Sequence, residues 1–253
     1  MPGLTSSSRD GIAQLCFDRP RALNALSPEM LEDLVDTCAA LAADDSVKVV
    51  RLEGAGHAFS AGADLPAFLA SISASDAHRI ADLGRRATEA VAGLPQITIA
   101  GIRGHCVGGG LVLAAACDIR IAAADARFMI PELDAGIPLA WGGMAQVVRL
   151  VGDTLAADLV LSCRPFGADE ALHAGLISRV VPPAQLEAEL AALGKDVAAK
   201  SRYVLRVTKQ QMLAIRAGTF DARKDADALL GALGDSESMQ QGARYIAERI
   251  RSQ

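Results

Sequence analysis

The sequence predicts an α/β core over residues 1–183 and a helical region over 184–253. Three observations carry this expectation. Ile97–Ile102 is a short β-branched run that leads through Gly108-Gly109-Gly110 into the apolar stretch LVLAAA. Glycines at such a strand-to-helix junction let the backbone approach a neighbour closely. Residues 47–52 form a second β-like run, and it too enters a glycine-containing loop, GAGHAFSAGAD at 54–64. After Pro182-Pro183 the chain reads as helix throughout, roughly 184–199, 201–216, 222–231 and 236–251, and this break is the best internal boundary.

The elements follow in order. Residues 1–10 are polar and Ser-rich and are expected to fray. GIAQLCF at 11–17 alternates loosely and reads as a first strand, and RPRALNAL at 19–26 as a loop. Ser27-Pro28-Glu29 supplies an N-cap, a proline at the first helical position and an acid in the first turn, for a helix to about residue 43. Residues 65–78 are poorly periodic, rich in Ser and Ala, and read as mobile. Ile80, Leu83, Ala87, Val91 and Leu94 then form one apolar stripe, read as core. A strand over 117–122 and a link to Phe128 follow the glycine triplet. Pro138 and Gly142-Gly143 then prevent a continuous helix before GMAQVVRLVG. Short helices at 154–162 and 168–174 precede the strand-like LISRVV.

Composition excludes several classes. Of 253 residues, 51% are hydrophobic and only 4% aromatic, so the core is built from Ala, Leu, Val and Ile. A net charge of −5 argues against a general nucleic-acid binder. No leader pattern is seen and no apolar run reaches membrane-spanning length, because Asp118 and Arg120 interrupt the longest candidate. Five cysteines, an odd number without CxxC spacing, read as small buried thiols in a reducing compartment. A soluble cytoplasmic protein without nucleic-acid or membrane partners is expected. His57, His78, His105 and His173 show neither metal-ligand nor triad spacing, and no GxGxxG or phosphate loop occurs. No metal or separate cofactor is therefore expected.

Two glycine loops at two strand ends can serve merely as tight turns. They can also present two backbone N–H groups to one substrate oxygen, the layout of an oxyanion hole. FSAGADL, IRGHCVGGGLVLAAACDIRIA and IPELDAGIPLAWGG, in this order and spacing, resemble the crotonase (enoyl-CoA hydratase/isomerase) superfamily. RPRALNAL and GADEALHAGLISRVV agree, and the resemblance covers about residues 10–215.

The resemblance implies the crotonase fold, a spiral of ββα units with C-terminal helices that support a homotrimer or a dimer of trimers. It implies an acyl-CoA thioester as ligand, with coenzyme A part of the substrate. The oxyanion donors would be the N–H groups of Ala63 and Gly109, each contributing about 3–4 kcal/mol in the transition state. Arg21 and Ala22 would lie near coenzyme A, although Arg21 also reads as an ordinary surface charge. Ala61, Asp64, Leu65, Gly108 and Val112 would line the ligand, and 65–78 would wall the acyl chain. Hydratases of this family carry two glutamates. The second matches Glu132, but the first position is Val112, which can neither orient nor deprotonate water. Δ3,Δ2-enoyl-CoA isomerases share this pattern of one glutamate and one apolar residue. Leu111, Val112 and Ile130 suggest apolar surroundings that would raise the Glu132 pKa. Asp134 is a nearby second acid, whereas Ala140 stands where dienoyl-CoA isomerases carry another. Three readings stay open: an isomerase with Glu132 as base, a hydratase holding water by another group, and a non-catalytic acyl-CoA binder.

Overall fold

A computed structural model describes residues 3–71 and 77–251. The N-terminal segment is not frayed. Strand β1 (Leu4–Arg9) pairs antiparallel with β2 (Ile12–Phe17), from Leu4 opposite Phe17 to Arg9 opposite Ile12. Asp10 and Gly11 make the turn with φ of 52° and 78°, the left-handed pair that a two-residue hairpin needs. Residues 5–9 are exposed, so no apolar alternation marks β1; backbone hydrogen bonds hold it.

Strands β3 (Val49–Gly54), β4 (Ile97–Ile102), β6 (Ile119–Ala123) and β9 (Arg179–Val181) complete a six-stranded sheet of order β1-β2-β3-β4-β6-β9. From β2 to β9 all neighbours are parallel. Covered on both faces, these strands read as continuous apolar runs. Val50, Leu52, Ala100 and Ile102 enter one core, and Val49, Ile97, Ile99 and Ile121 a second. Helix α1 (Pro28–Ala42) packs on the first face through Met30, Leu31, Leu34, Cys38 and Leu41, and Ser27 Oγ caps it by accepting from Met30 N at 3.3 Å. Helix α2 spans Leu65–Ser71, and α3 (Ala77–Gly93) follows. The stripe residues Leu83, Ala87, Val91 and Leu94 are buried. Within the stretch expected to be mobile, 72–76 lie outside the described residues, as does the side chain of Ile80.

Helix α4 (Gly109–Ala116) is buried at all eight positions, as an all-apolar helix must be. Burying Leu111, Val112 and Leu113 stabilises the fold by about 1.5–3 kcal/mol each. A second sheet, unforeseen in the sequence, joins β5 (His105–Val107), β7 (Arg127–Met129) and β8 (Phe166–Gly167). Strands of two or three residues carry no readable periodicity. This small sheet delivers the glycine triplet after β5 and Glu132 after β7.

Helices α5 (Gly143–Val151), α6 (Asp153–Ser162) and α7 (Ala168–His173) follow. Past Pro182-Pro183, α8 (Leu186–Ala198) covers the second face of the large sheet through Leu186, Leu190 and Val197. Helices α9 (Arg202–Arg216), α10 (Asp225–Gly234) and α11 (Ser236–Arg251) complete the chain. The caps of α9 and α11 bind each other: Ser201 Oγ donates to Asp235 Oδ2 at 2.9 Å, and Ser238 Oγ to Ser201 Oγ at 2.7 Å. The five cysteines are free, four of them buried and Cys16 half-buried. Burial pushes the Cys38 and Cys117 thiols up to about 12. Among the described residues no helix is long and apolar enough to cross a membrane.

Candidate active site

The two glycine loops lie side by side. Ser60 bridges Cys106 in parallel, its N–H donating to His105 O at 2.9 Å while Val107 N–H donates to Ser60 O at 3.0 Å. Beyond that bridge Gly62 has φ +91°, and a Cβ on it would stand 2.8 Å from Val107 O and 3.5 Å from Gly109 N. Glycine is therefore required at 62 for both conformation and close approach. Ala63 bridges Leu26, with Leu26 N–H donating to Gly62 O at 2.8 Å and Asp64 N–H to Leu26 O at 2.9 Å. The Ala61 N–H is taken by Leu23 O at 2.8 Å and the Gly108 N–H by Met129 O at 2.9 Å. The N–H groups of Ala63 and Gly109 donate to no group among the described residues. Gly109 opens α4, where a helix leaves its N–H groups without internal partners.

Polar contacts beneath these loops hold them in place. Asn24 is buried with φ 56°, a conformation asparagine tolerates better than most residues. Its Nδ2 donates to Ala55 O at 2.9 Å and Ala58 O at 2.8 Å, and its Oδ1 accepts from Arg19 N at 2.9 Å. Ser60 Oγ donates to Asn24 O at 2.8 Å and accepts from Gly62 N at 3.1 Å. The sequence reading assigned no role to Asn24, Ser60 or Arg19. Alongside near neighbours such as Arg19 N for Asn24 and Gly62 N for Ser60, each has a partner 31 to 45 positions away, beyond any local pattern, although Asn24 within RPRALNAL is a turn-forming residue type.

Glu132 stands over the start of α4. A Cβ on Gly108, where φ is +50°, would lie 2.5 Å from Glu132 Oε1, so a side chain here would be strained and would displace the carboxylate. Glu132 Oε2 is buried without a hydrogen-bond partner among the described residues. Burial raises the Glu132 pKa, partly opposed by a backbone hydrogen bond. Leu111, Val112 and Ile130 are buried, as the apolar-environment expectation requires. Val112 packs where the following loop enters α5: a Cβ on Gly143 would sit 2.5 Å from Val112 Cγ2. That loop also contains Trp141, whose φ of 59° costs about 1–3 kcal/mol for a non-glycine residue. Its indole occupies the place of a Cβ on Gly109. The sequence reading gave this side chain no role, although a lone tryptophan beside Gly142-Gly143 was the available signal.

The remaining candidates spread outward. Arg21 and Ala22 are exposed in a turn of 3₁₀ helix, Pro20–Ala22. With Arg19, Ser27, Met30 and Asp64 they line a groove of about 1030 Å³. Asp64 is engaged within the protein, pairing with Arg19 and accepting from Ala67 N at 3.2 Å to cap α2. Leu65 is 44% exposed. Asp134 is exposed in a turn and the Glu132 shift has no contribution from it. His105 is exposed on β5. Among the described residues no group of three or more His, Cys, Asp or Glu side chains could hold a metal ion.

Fold and loop arrangement define the class, an α/β protein with the crotonase architecture. Residues 7–253 match the enoyl-CoA hydratase/isomerase family, and the chain belongs to that family. A crotonyl-CoA hydratase of Syntrophomonas wolfei is 35% identical over 78% of this chain and 76% of its own. A short-chain-enoyl-CoA hydratase of Clostridium acetobutylicum is 32% identical over 79% and 76%. A crystal structure of an enoyl-CoA hydratase/carnithine racemase from Magnetospirillum magneticum superposes with a TM-score of 0.91 at 32% identity, covering 98% of this chain and 94% of that one.

Proposed function

We propose that the protein isomerises 3-enoyl-CoA thioesters to 2-enoyl-CoA thioesters with Glu132 as the single acid/base. The thioester oxygen accepts from the Ala63 and Gly109 N–H groups. The Glu132 carboxylate takes a proton from C2, the dienolate charge rests on that oxygen, and Glu132 returns the proton at C4. The double bond moves from C3–C4 to C2–C3 with no water consumed. One observation carries this reading: Glu132 has a buried oxygen without a hydrogen-bond partner among the described residues, while the position of a second glutamate holds Val112, packed against Gly143. A carboxylate whose pKa is raised by burial is a stronger base than one in water. Arg21 and Ala22 would receive coenzyme A at the groove, and no cofactor beyond that part of the substrate takes part.

Hydration of a 2-enoyl-CoA is the second reading, favoured by the names of the relatives. It needs water held by a group other than Val112. Parallel assays of 3-enoyl-CoA and trans-2-enoyl-CoA with wild type and Glu132→Gln separate the two. Conversion of the 3-enoyl thioester alone, lost in the variant, is the expected result. Hydration dependent on Glu132 would establish the second reading, and acyl-CoA binding without conversion would leave a binder.

A homo-oligomer, trimer or dimer of trimers, is part of this proposal. Ile215, Leu229, Leu230, Leu233, Ile246 and Ile250 are all at least 57% exposed on α9–α11, an apolar surface of the kind oligomer interfaces bury. Sedimentation equilibrium giving a monomer mass at micromolar concentration would refute it.

A further inference from the structure

Trp141 is the only tryptophan of the chain. Its indole is wedged between glycines of two helices. A Cβ on Gly109 would overlap its Cζ3, and a Cβ on Gly84 of α3 would overlap its Cε2. Phe68 of α2 lies against it with ring centroids 6.2 Å apart and planes 35° apart. Three helices thus close around one ring, held from a left-handed backbone position directly before Gly142, itself at φ 74°. Trp141 and Glu132 belong to one loop and cover consecutive residues: Glu132 lies over Gly108 and Trp141 over Gly109.

This juxtaposition bears on the acyl group, and the inference rests on the acyl-CoA reading above. With the thioester oxygen at Gly109 N–H and C2 within reach of Glu132, coenzyme A leaves towards Arg21 and Ala22. The acyl carbons then run the other way, past the flank of Gly109 that the indole fills. We propose that Trp141 sets the upper limit of acyl length. Backed by Gly84 and Phe68, the indole ends the acyl path, so the site accepts short-chain thioesters and excludes medium- and long-chain ones. A smaller apolar side chain in the same space opens the path while leaving Ala63, Gly109 and Glu132 themselves in place.

Calorimetry with coenzyme A, butyryl-CoA and decanoyl-CoA tests this on wild type, Trp141→Ala and Trp141→Leu. These saturated thioesters bind without reacting, so the result does not depend on which reaction is catalysed. Wild type is expected to bind butyryl-CoA at least roughly tenfold more tightly than decanoyl-CoA, and both variants to shift that ratio at least roughly tenfold towards decanoyl-CoA. The single indole also reports directly: wild-type fluorescence should change with butyryl-CoA and not with coenzyme A alone. The leucine variant keeps much of the packing, and its far-UV spectrum and melting curve establish that it is folded. An unchanged ratio in folded Trp141→Leu overturns the proposal, as does fluorescence indifferent to butyryl-CoA. Failure of wild type to bind either thioester would overturn the acyl-CoA reading itself, and this inference with it.

Discussion

The Arg19 guanidinium donates to the Asp64 carboxylate at 2.8 Å, although 45 positions separate them. The same Nη1 donates to Ala25 O at 2.7 Å. One side chain therefore ties the loop before α1 to the residue that follows Ala63. Asp64 also caps α2 through Ala67 N, so it fixes the chain on both sides of the candidate oxyanion donor.

Asp64→Ala should lower stability by about 1–2 kcal/mol, mostly through the lost cap, since the ion pair is partly exposed. With Ala63 N–H as the proposed oxyanion donor, it should also lower kcat more than it raises KM, because a misdirected donor weakens binding of the transition state more than of the ground state. Asp64→Asn retains the cap and should recover most of the stability. Urea unfolding with steady-state kinetics checks both. Wild-type kcat in folded Asp64→Ala would show that the pair has no part in positioning.

Burial raises the Glu132 pKa above the ordinary glutamate value, and this has two consequences of opposite sign. In the proposed mechanism the carboxylate is the base, so kcat/KM should rise with pH through the raised pKa and level off above it. Stability should fall through the same window. Between the ordinary and the raised pKa the folded state binds more protons than the unfolded state, so unfolding free energy decreases as pH rises. Glu132→Gln should therefore be inactive yet more stable than wild type at neutral pH, with the advantage shrinking below the ordinary glutamate pKa. Equal stability of the two proteins from below the ordinary glutamate pKa up to neutral pH would contradict the burial account.

Val112 is 1% exposed and packs against Gly143. Val112→Glu should lower the melting temperature, because a charged group replaces a packed apolar one without a prepared partner. It should also raise hydration of trans-2-enoyl-CoA relative to isomerisation by placing a second carboxylate opposite Glu132. A lower melting point with an unchanged ratio of the two activities would mean that the position 112 side chain does not face the reacting carbons.

Legibility of the fold followed the range of the interactions. The cap and length of α1, the apolar α4, strands β2 to β4 and the C-terminal helices each declare themselves within a few residues. The β1 hairpin was missed because polar side chains on an edge strand hide a pairing made by backbone, although Asp10-Gly11 is a hairpin turn. The small sheet was missed because three-residue strands have no period. At the site, the motif residues were legible through the family resemblance. Trp141, Asn24, Ser60 and the Arg19–Asp64 pair were not, since each acts through partners distant in sequence.

The sequence by itself determined which groups are available: small residues at 61–63, glycines at 108–110, one glutamate at 132 and a valine at 112. The tertiary structure decided which of those groups are free to act. The Ala61 and Gly108 N–H groups are consumed by Leu23 O and Met129 O, whereas those of Ala63 and Gly109 donate to no group among the described residues. The Glu132 carboxylate, an ordinary acid in the chain, becomes a desolvated one only where the fold buries it. Hydrogen-bond satisfaction and desolvation are properties of neighbours in space, and those neighbours meet only when the two sheets and α4 are assembled.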